Sequence, residues 1–224
     1  MYLLLIRHPE SEKNILNTFS SIQDNEELTQ IGIQQSIELA KGICEIIDRH
    51  NFNVKNIYCA NSRRAISSTK IIADFMNTNY VICEDLVSTK AGVLAGINEK
   101  DATMTHSGYM KQLYLYRKGL YNAYRFNVAE GKENKKKYEK KVITCLHEII
   151  KNTEDNFIVI ITHRSPITTI LTDFAKKYYD YPKNFLGYIQ LDLSKISWLK
   201  RQNKCWEICG VNQTVNEFLI NFQE

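Results

Sequence analysis

The chain has 224 residues, enough for one sizeable hydrophobic core and short for two. Apolar residues make up 44% and charged residues 24%, the balance of an ordinary globular protein rather than a disordered or fibrous one. The net charge of +4 gives no argument for a nucleic-acid partner or a membrane surface, and no apolar stretch approaches the roughly 20 residues that span a bilayer.

The opening run MYLLLI is wholly apolar and stops at Arg7-His8, which predicts a strand buried on both faces. The run has no basic residue ahead of it and is too short for a secretory signal. The cysteines at 44, 59, 83, 145, 205 and 209 are therefore expected to be reduced and the chain cytoplasmic. Thr29 is the expected N-cap of a helix whose apolar stripe is Ile33, Ile37, Ala40, Cys44 and Ile47. Asn56–Ala60 reads as a second strand. Arg64–Met76 reads as a helix with Ala65, Thr69, Ile72 and Met76 on one face, and Tyr80–Cys83 as a third strand.

From about Ile97 to Asn134 the rhythm breaks. Tyr109, Tyr114, Tyr116, Tyr121 and Tyr124 sit there among basic residues, with Leu113, Leu120 and Tyr124 near helical spacing. We take 97–134 as an insertion within a single domain, 1–224. Lys135–Lys151 predicts a helix that buries Tyr138, Val142, Cys145 and Ile149, its remaining lysines forming a solvated face. Phe157–Thr162 is the most apolar strand. Ser165-Pro166 then suggests a cap and a first-turn proline for a helix reaching about Tyr178. Gly187–Leu193 and Cys205–Cys209 read as closing strands. The alternation predicts an α/β fold, a three-layer α/β/α sandwich with a mostly parallel sheet and the insertion over its carboxyl edge.

The apolar runs of LLLIRH and FIVIITHRS each lead into a histidine beside an arginine, His8 and His163. Ligands of parallel α/β sheets bind beyond the carboxyl ends of the strands. An isolated histidine is most often a satisfied structural one, but His8 and His163 at two such ends predict a site.

At these residues the chain resembles the histidine phosphatase superfamily, the phosphoglycerate mutase-like proteins. LIRHPESEKN is similar to the family signature at Arg7, His8, Glu10, Ser11 and Asn14, with Pro9 in place of the usual glycine. LTQIGIQQS resembles the next block through Leu28, Thr29, Gly32 and Gln35. IYCANSRRAISSTKIIA resembles the block with a second phosphate-binding arginine, which register assigns to Arg64. ITHRSPITTIL resembles the block with the second histidine, His163, although Arg164 replaces a glycine. The blocks are collinear, and several in order are far more specific than one.

The resemblance implies a metal-independent phosphatase without a cofactor. Arg7 and Arg64 would clamp the phosphoryl dianion. His8 would take up the phosphoryl group as a phosphohistidine, assisted by His163, and water would release it. Asn14, Ser11, Glu10, Ser88 and Arg164 would border the substrate, which is expected to be a small phosphorylated molecule or a phosphoprotein.

One position departs from the pattern. Leu86, Gly92 and Gly96 keep the register of the proton-donor block, but Ser88 stands where the family has a glutamate. A serine hydroxyl is a poor acid near neutrality. Glu84 and Asp85 are the acidic groups nearest in sequence. The departure predicts a preference for good leaving groups. It leaves open two alternatives, a phosphomutase and a phosphate-binding scaffold protein weakened in turnover. The substrate and the oligomeric state are not legible in the sequence.

Overall fold

The computed structural model describes residues 1–20, 26–126 and 130–222. The chain runs through β1 (Tyr2–Arg7), α1 (Glu12–Leu16), α2 (Gln30–His50), β2 (Asn56–Ala60), α3 (Arg63–Met76) and β3 (Asn79–Cys83). It continues through α4 (Glu99–Thr105), α5 (Ser107–Arg117), α6 (Lys135–Asn152), β4 (Phe157–Thr162) and α7 (Arg164–Tyr178). It closes with β5 (Ile196–Gln202), β6 (Cys205–Gln213) and α8 (Val215–Asn221). One six-stranded sheet has the order β3-β2-β4-β1-β5-β6. The first four strands of the chain run parallel, and β5 pairs antiparallel with both β1 and β6.

The apolar runs explain why β1 and β4 occupy the middle. Along each strand, successive side chains point to opposite faces, so a strand apolar at every position demands cover on both. Leu3, Leu5, Ile158 and Ile160 pack with Tyr138, Val142 and Leu146 of α6 and Ile167, Ile170 and Phe174 of α7. Leu4, Ile6, Val159 and Ile161 pack with Leu39, Ile43 and Ile46 of α2, Ile72 of α3 and Phe218 of α8. Burying each such side chain contributes about 1.5–3 kcal/mol before entropic costs. The result is the three-layer α/β/α sandwich with a mostly parallel sheet.

Some elements differ from the sequence pattern. Gly187–Leu193 is not a strand; the sheet takes Ile196–Gln202 instead, as β5 against β1. Helix α7 is capped by His163 and begins at Arg164, so Ser165 and Pro166 lie inside its first turn. Proline is tolerated there because first-turn N–H groups have no intrahelical acceptor. In α2 the buried stripe is Ser36, Leu39, Ala40, Ile43 and Ile46, while Ile33, Ile37, Cys44 and Ile47 flank it half-buried. The larger aliphatic side chains at 39, 43 and 46 take the sheet-facing line. Leu113 and Leu120 do not share a helix, because α5 ends at Arg117 and Leu120 is exposed. Tyr124 lies in a separate short 3₁₀ turn.

Thr29 is the N-cap of α2, accepting from the amide of Gly32 at 3.0 Å. Gly32 is required by contact: a Cβ there would lie 1.9 Å from the carbonyl oxygen of Glu10. That carbonyl accepts from the Thr29 amide at 3.2 Å, so α2 abuts the loop that leaves His8. Gly32→Ala is therefore expected to destabilise the fold by about 1–3 kcal/mol through overpacking. At roughly 2–4 °C per kcal/mol for a chain of this size, thermal melting should show the loss.

Candidate active site

Strands β1 and β4 pair in parallel register with Arg7 opposite Thr162, so the residues that follow, His8 and His163, leave the sheet side by side. The His8 amide donates to the Thr162 carbonyl at 2.8 Å, extending the ladder to the turn. The two rings have centroids 4.9 Å apart at 67°. Both histidines are buried, as is Arg64 from the first turn of α3. The neighbouring Arg63 points outward and pairs with Glu27, which settles which of the two arginines enters the site.

Hydrogen-bond partners assign the His8 tautomer. Its Nδ1 lies 2.8 Å from the carbonyl oxygen of Pro9, which only accepts, so Nδ1 carries the proton. Its Nε2 lies 3.2 Å from Arg64 Nε, which only donates, so Nε2 presents a lone pair. Burial holds the His8 ring well below the usual imidazole range, and the cations of Arg64, Arg7 and Lys13 push the same way. His163 is likewise lowered by burial, by His8 and by Arg64. Its Nδ1 faces Arg64 Nη2 at 3.5 Å and its Nε2 meets Ser62 Oγ at 3.0 Å. A neutral imidazole pair thus sits inside a ring of cations. Burial, with the charge of Arg164 adding to it, lowers Arg7 to about 10. Arg7 is oriented by donating from Nη1 to the Leu191 carbonyl at 2.6 Å.

These groups line a cavity of about 640 Å³ over the carboxyl ends of β1 and β4. Asn14, Ser88 and Arg164 are on its walls as well. Asn14 Oδ1 accepts from the amide and the hydroxyl of Ser11 at 3.0 and 2.7 Å, which turns its NH₂ donor elsewhere. That pairing also shows what Ser11 does: fully buried, it caps α1. Glu10 accepts from Thr29 Oγ1 at 2.8 Å and holds α2 to the loop. Neither Ser11 nor Glu10 reaches the cavity, a correction to the expected substrate-binding set. The motif spaces them for building the turn that carries His8.

Glu84 and Asp85 are not brought to His8 either. Glu84 takes the Asn61 amide on both oxygens at 2.8 Å, on the wall of a smaller adjoining cavity of about 330 Å³. Asp85 is exposed, outside the walls of both cavities. The structure adds residues that sequence spacing did not mark. Lys13 is buried against the site, although it sits within the first motif. Glu99, Tyr109, Arg117 and Lys132 come from the segment between β3 and α6, and Tyr188 from the stretch before β5. Among the described residues, the buried Nε atoms of Arg7 and Arg164 have no hydrogen-bond partner.

The family model of the histidine phosphatase superfamily, branch 1, matches residues 3–214. A 2,3-bisphosphoglycerate-dependent phosphoglycerate mutase from Thermoplasma acidophilum is 26% identical over 176 residues, 77% of this chain and 76% of that protein. Two solved structures share the fold. A mycobacterial glucosyl-3-phosphoglycerate phosphatase aligns over 95% of this chain and 99% of its own, with TM-score 0.77 and 16% identity. A phosphoserine phosphatase from Entamoeba histolytica aligns over 95% and 97%, with TM-score 0.69 and 21% identity. Taken with a match that runs across nearly all of the sheet, these findings place the chain in a family: it belongs to branch 1 of the histidine phosphatase superfamily.

Proposed function

We propose that the protein is a metal-independent phosphatase that hydrolyses small phosphorylated substrates through a phosphohistidine on His8. The observation that carries this reading is the His8 ring itself. It is held neutral by burial, its proton is tied to the Pro9 carbonyl, and its Nε2 lone pair lies in a cationic cavity. In the proposed reaction Nε2 attacks phosphorus in line as the bond to the leaving oxygen breaks. Arg7, Arg64 and Lys13 hold the equatorial oxygens, where charge builds in the transition state. Water then attacks the N–P bond and releases phosphate. Rapid acid-free quenching with a labelled aryl phosphate tests the reading. A base-stable, acid-labile adduct on His8 is expected; tight phosphate binding with no adduct would make the protein a scaffold instead.

A mutase is the second reading, favoured by the name of the Thermoplasma relative. Product analysis separates the two: a mutase passes the phosphoryl group to a second hydroxyl, a phosphatase to water.

The composition of the cavity also predicts selectivity. Ser88 is on its wall, and the one carboxylate among its described lining residues, Glu99, is forked onto Arg117 at 2.9 and 2.5 Å. Among the described residues no other carboxylate lines this cavity, and aryl phosphates need a proton less than alkyl phosphates do. Wild type is expected to show a higher kcat/KM for an aryl than for an alkyl phosphate. Ser88→Glu should raise the alkyl value more than the aryl one. Equal turnover of both substrates by wild type would contradict this.

A further inference from the structure

We propose that Lys132 is the general acid of this site, the group that protonates the departing oxygen in place of the family's glutamate. The assignment rests on the phosphatase reading and deepens it. Ala91 and Lys132 form an antiparallel bridge, and the Val93 amide donates to the Glu130 carbonyl at 3.0 Å. Segment 130–132 is thereby fastened beside the stretch that begins at Ser88. Gly92 permits this closeness: its φ is +62°, and a Cβ would lie 2.1 Å from Glu130 O and 2.5 Å from Lys132 N. Lys132 thus lines the same cavity as Ser88, the position where the carboxylic acid is missing.

The side chain is half-buried against aromatic rings. Nζ donates to Tyr109 Oη at 2.5 Å and lies 4.2 Å from the centre of that ring and 5.4 Å from the centre of Phe126. An ammonium has three N–H bonds, so the contact with Tyr109 leaves others for a ligand in the cavity. The charged and titratable groups around it are Tyr109 and Arg117 of α5, Glu99 of α4, Arg164 of α7, Arg7 of β1 and Lys135 of α6. Glu99 is held by Arg117, and the adjacent Glu133 pairs with Lys141 at 2.8 Å. No described carboxylate neutralises Lys132. Burial, with Lys135 adding to it, lowers the ammonium to about 8, whereas burial raises Tyr109 to about 12. The proton accordingly stays on the lysine at neutral pH and is available for transfer.

The step balances. As the His8 Nε2–P bond forms and the P–O bond breaks, Lys132 passes one proton to the leaving oxygen and becomes a neutral amine. The amine then takes a proton from the water that attacks the phosphohistidine, and the ammonium is restored. An ammonium is a weaker acid than the usual carboxylic group, so alkyl substrates stay disadvantaged, as argued above.

The test compares kcat/KM for an alkyl and an aryl phosphate across pH in wild type, Lys132→Met and Lys132→Arg. In wild type the alkyl value should fall as pH rises through about 8, while the aryl value changes little. Both variants should lose on the order of 10²-fold with the alkyl substrate, the lower end for a lost general acid, and far less with the aryl one. Arginine keeps the charge but does not surrender its proton, so it should not rescue. The aryl rate also reports whether each variant is folded. Equal losses on both substrates, or full rescue by arginine, would reduce Lys132 to a binding cation. Unchanged alkyl turnover in Lys132→Met, with the His8 adduct still formed, would overturn the assignment alone. Absence of the adduct in wild type would overturn the phosphatase reading and this assignment together.

Discussion

His8→Ala is expected to lower kcat by about 10⁵-fold or more, the scale on which removal of a covalent nucleophile acts. The substitution leaves Arg7, Arg64, Lys13 and His163 around the cavity, so phosphate should still bind. It removes the one lone pair whose orientation is fixed twice, by the Pro9 carbonyl at Nδ1 and by the Arg64 guanidinium at Nε2. Quenched reactions with a labelled aryl phosphate should yield no adduct in this variant, and isothermal titration should still detect inorganic phosphate. Substantial residual turnover would mean that phosphoryl transfer goes directly to water and that His8 only binds.

Arg64→Met is expected to cost about 10²–10³-fold in kcat/KM, the loss typical of one preorganised donor to developing charge, or more. Arg64 touches both histidines and is buried, so its guanidinium cannot be replaced by solvent. A second effect separates this role from simple binding. Burial is the main cause of the low His8 proton affinity, and the Arg64 charge adds to it. Without that charge the ring takes up a proton more readily. The attacking form is the neutral one, so the acid limb of kcat/KM should move to higher pH in Arg64→Met. Arg64→Lys should return the limb toward its original place but recover the rate only in part, because an ammonium does not fork onto two oxygens. A pH profile unmoved in Arg64→Met would show that the guanidinium does not govern the His8 charge state.

Local patterns were enough to recognise the strands that build the site. MYLLLI and FIVII are apolar at every position, and such runs are stable only where both faces are covered, as they are at the centre of this sheet. Thr29 announced its helix because a cap acts through a hydrogen bond to a residue three positions away. Arg7, His8, Arg64 and His163 were legible because each stands at a strand end or in the first turn of a helix, where geometry leaves little choice of direction. The antiparallel β5 was not, since ISWLKRQ is apolar only in its first half and becomes a strand by pairing with β1. Nor were the inward roles of Lys13, Arg117 and Lys132, which resemble any surface cations in the sequence. Ser11 and Glu10 erred in the other direction, polar groups in a signature that the fold spends on a cap and a tether. Local hydrogen bonds and periodicity act over a few residues and are written in the chain. The burial of a charge depends on which distant segments close over it, and that was decided only when Ser88, Glu99, Tyr109, Arg117 and Lys132 came together with Arg7 and His8 around one cavity.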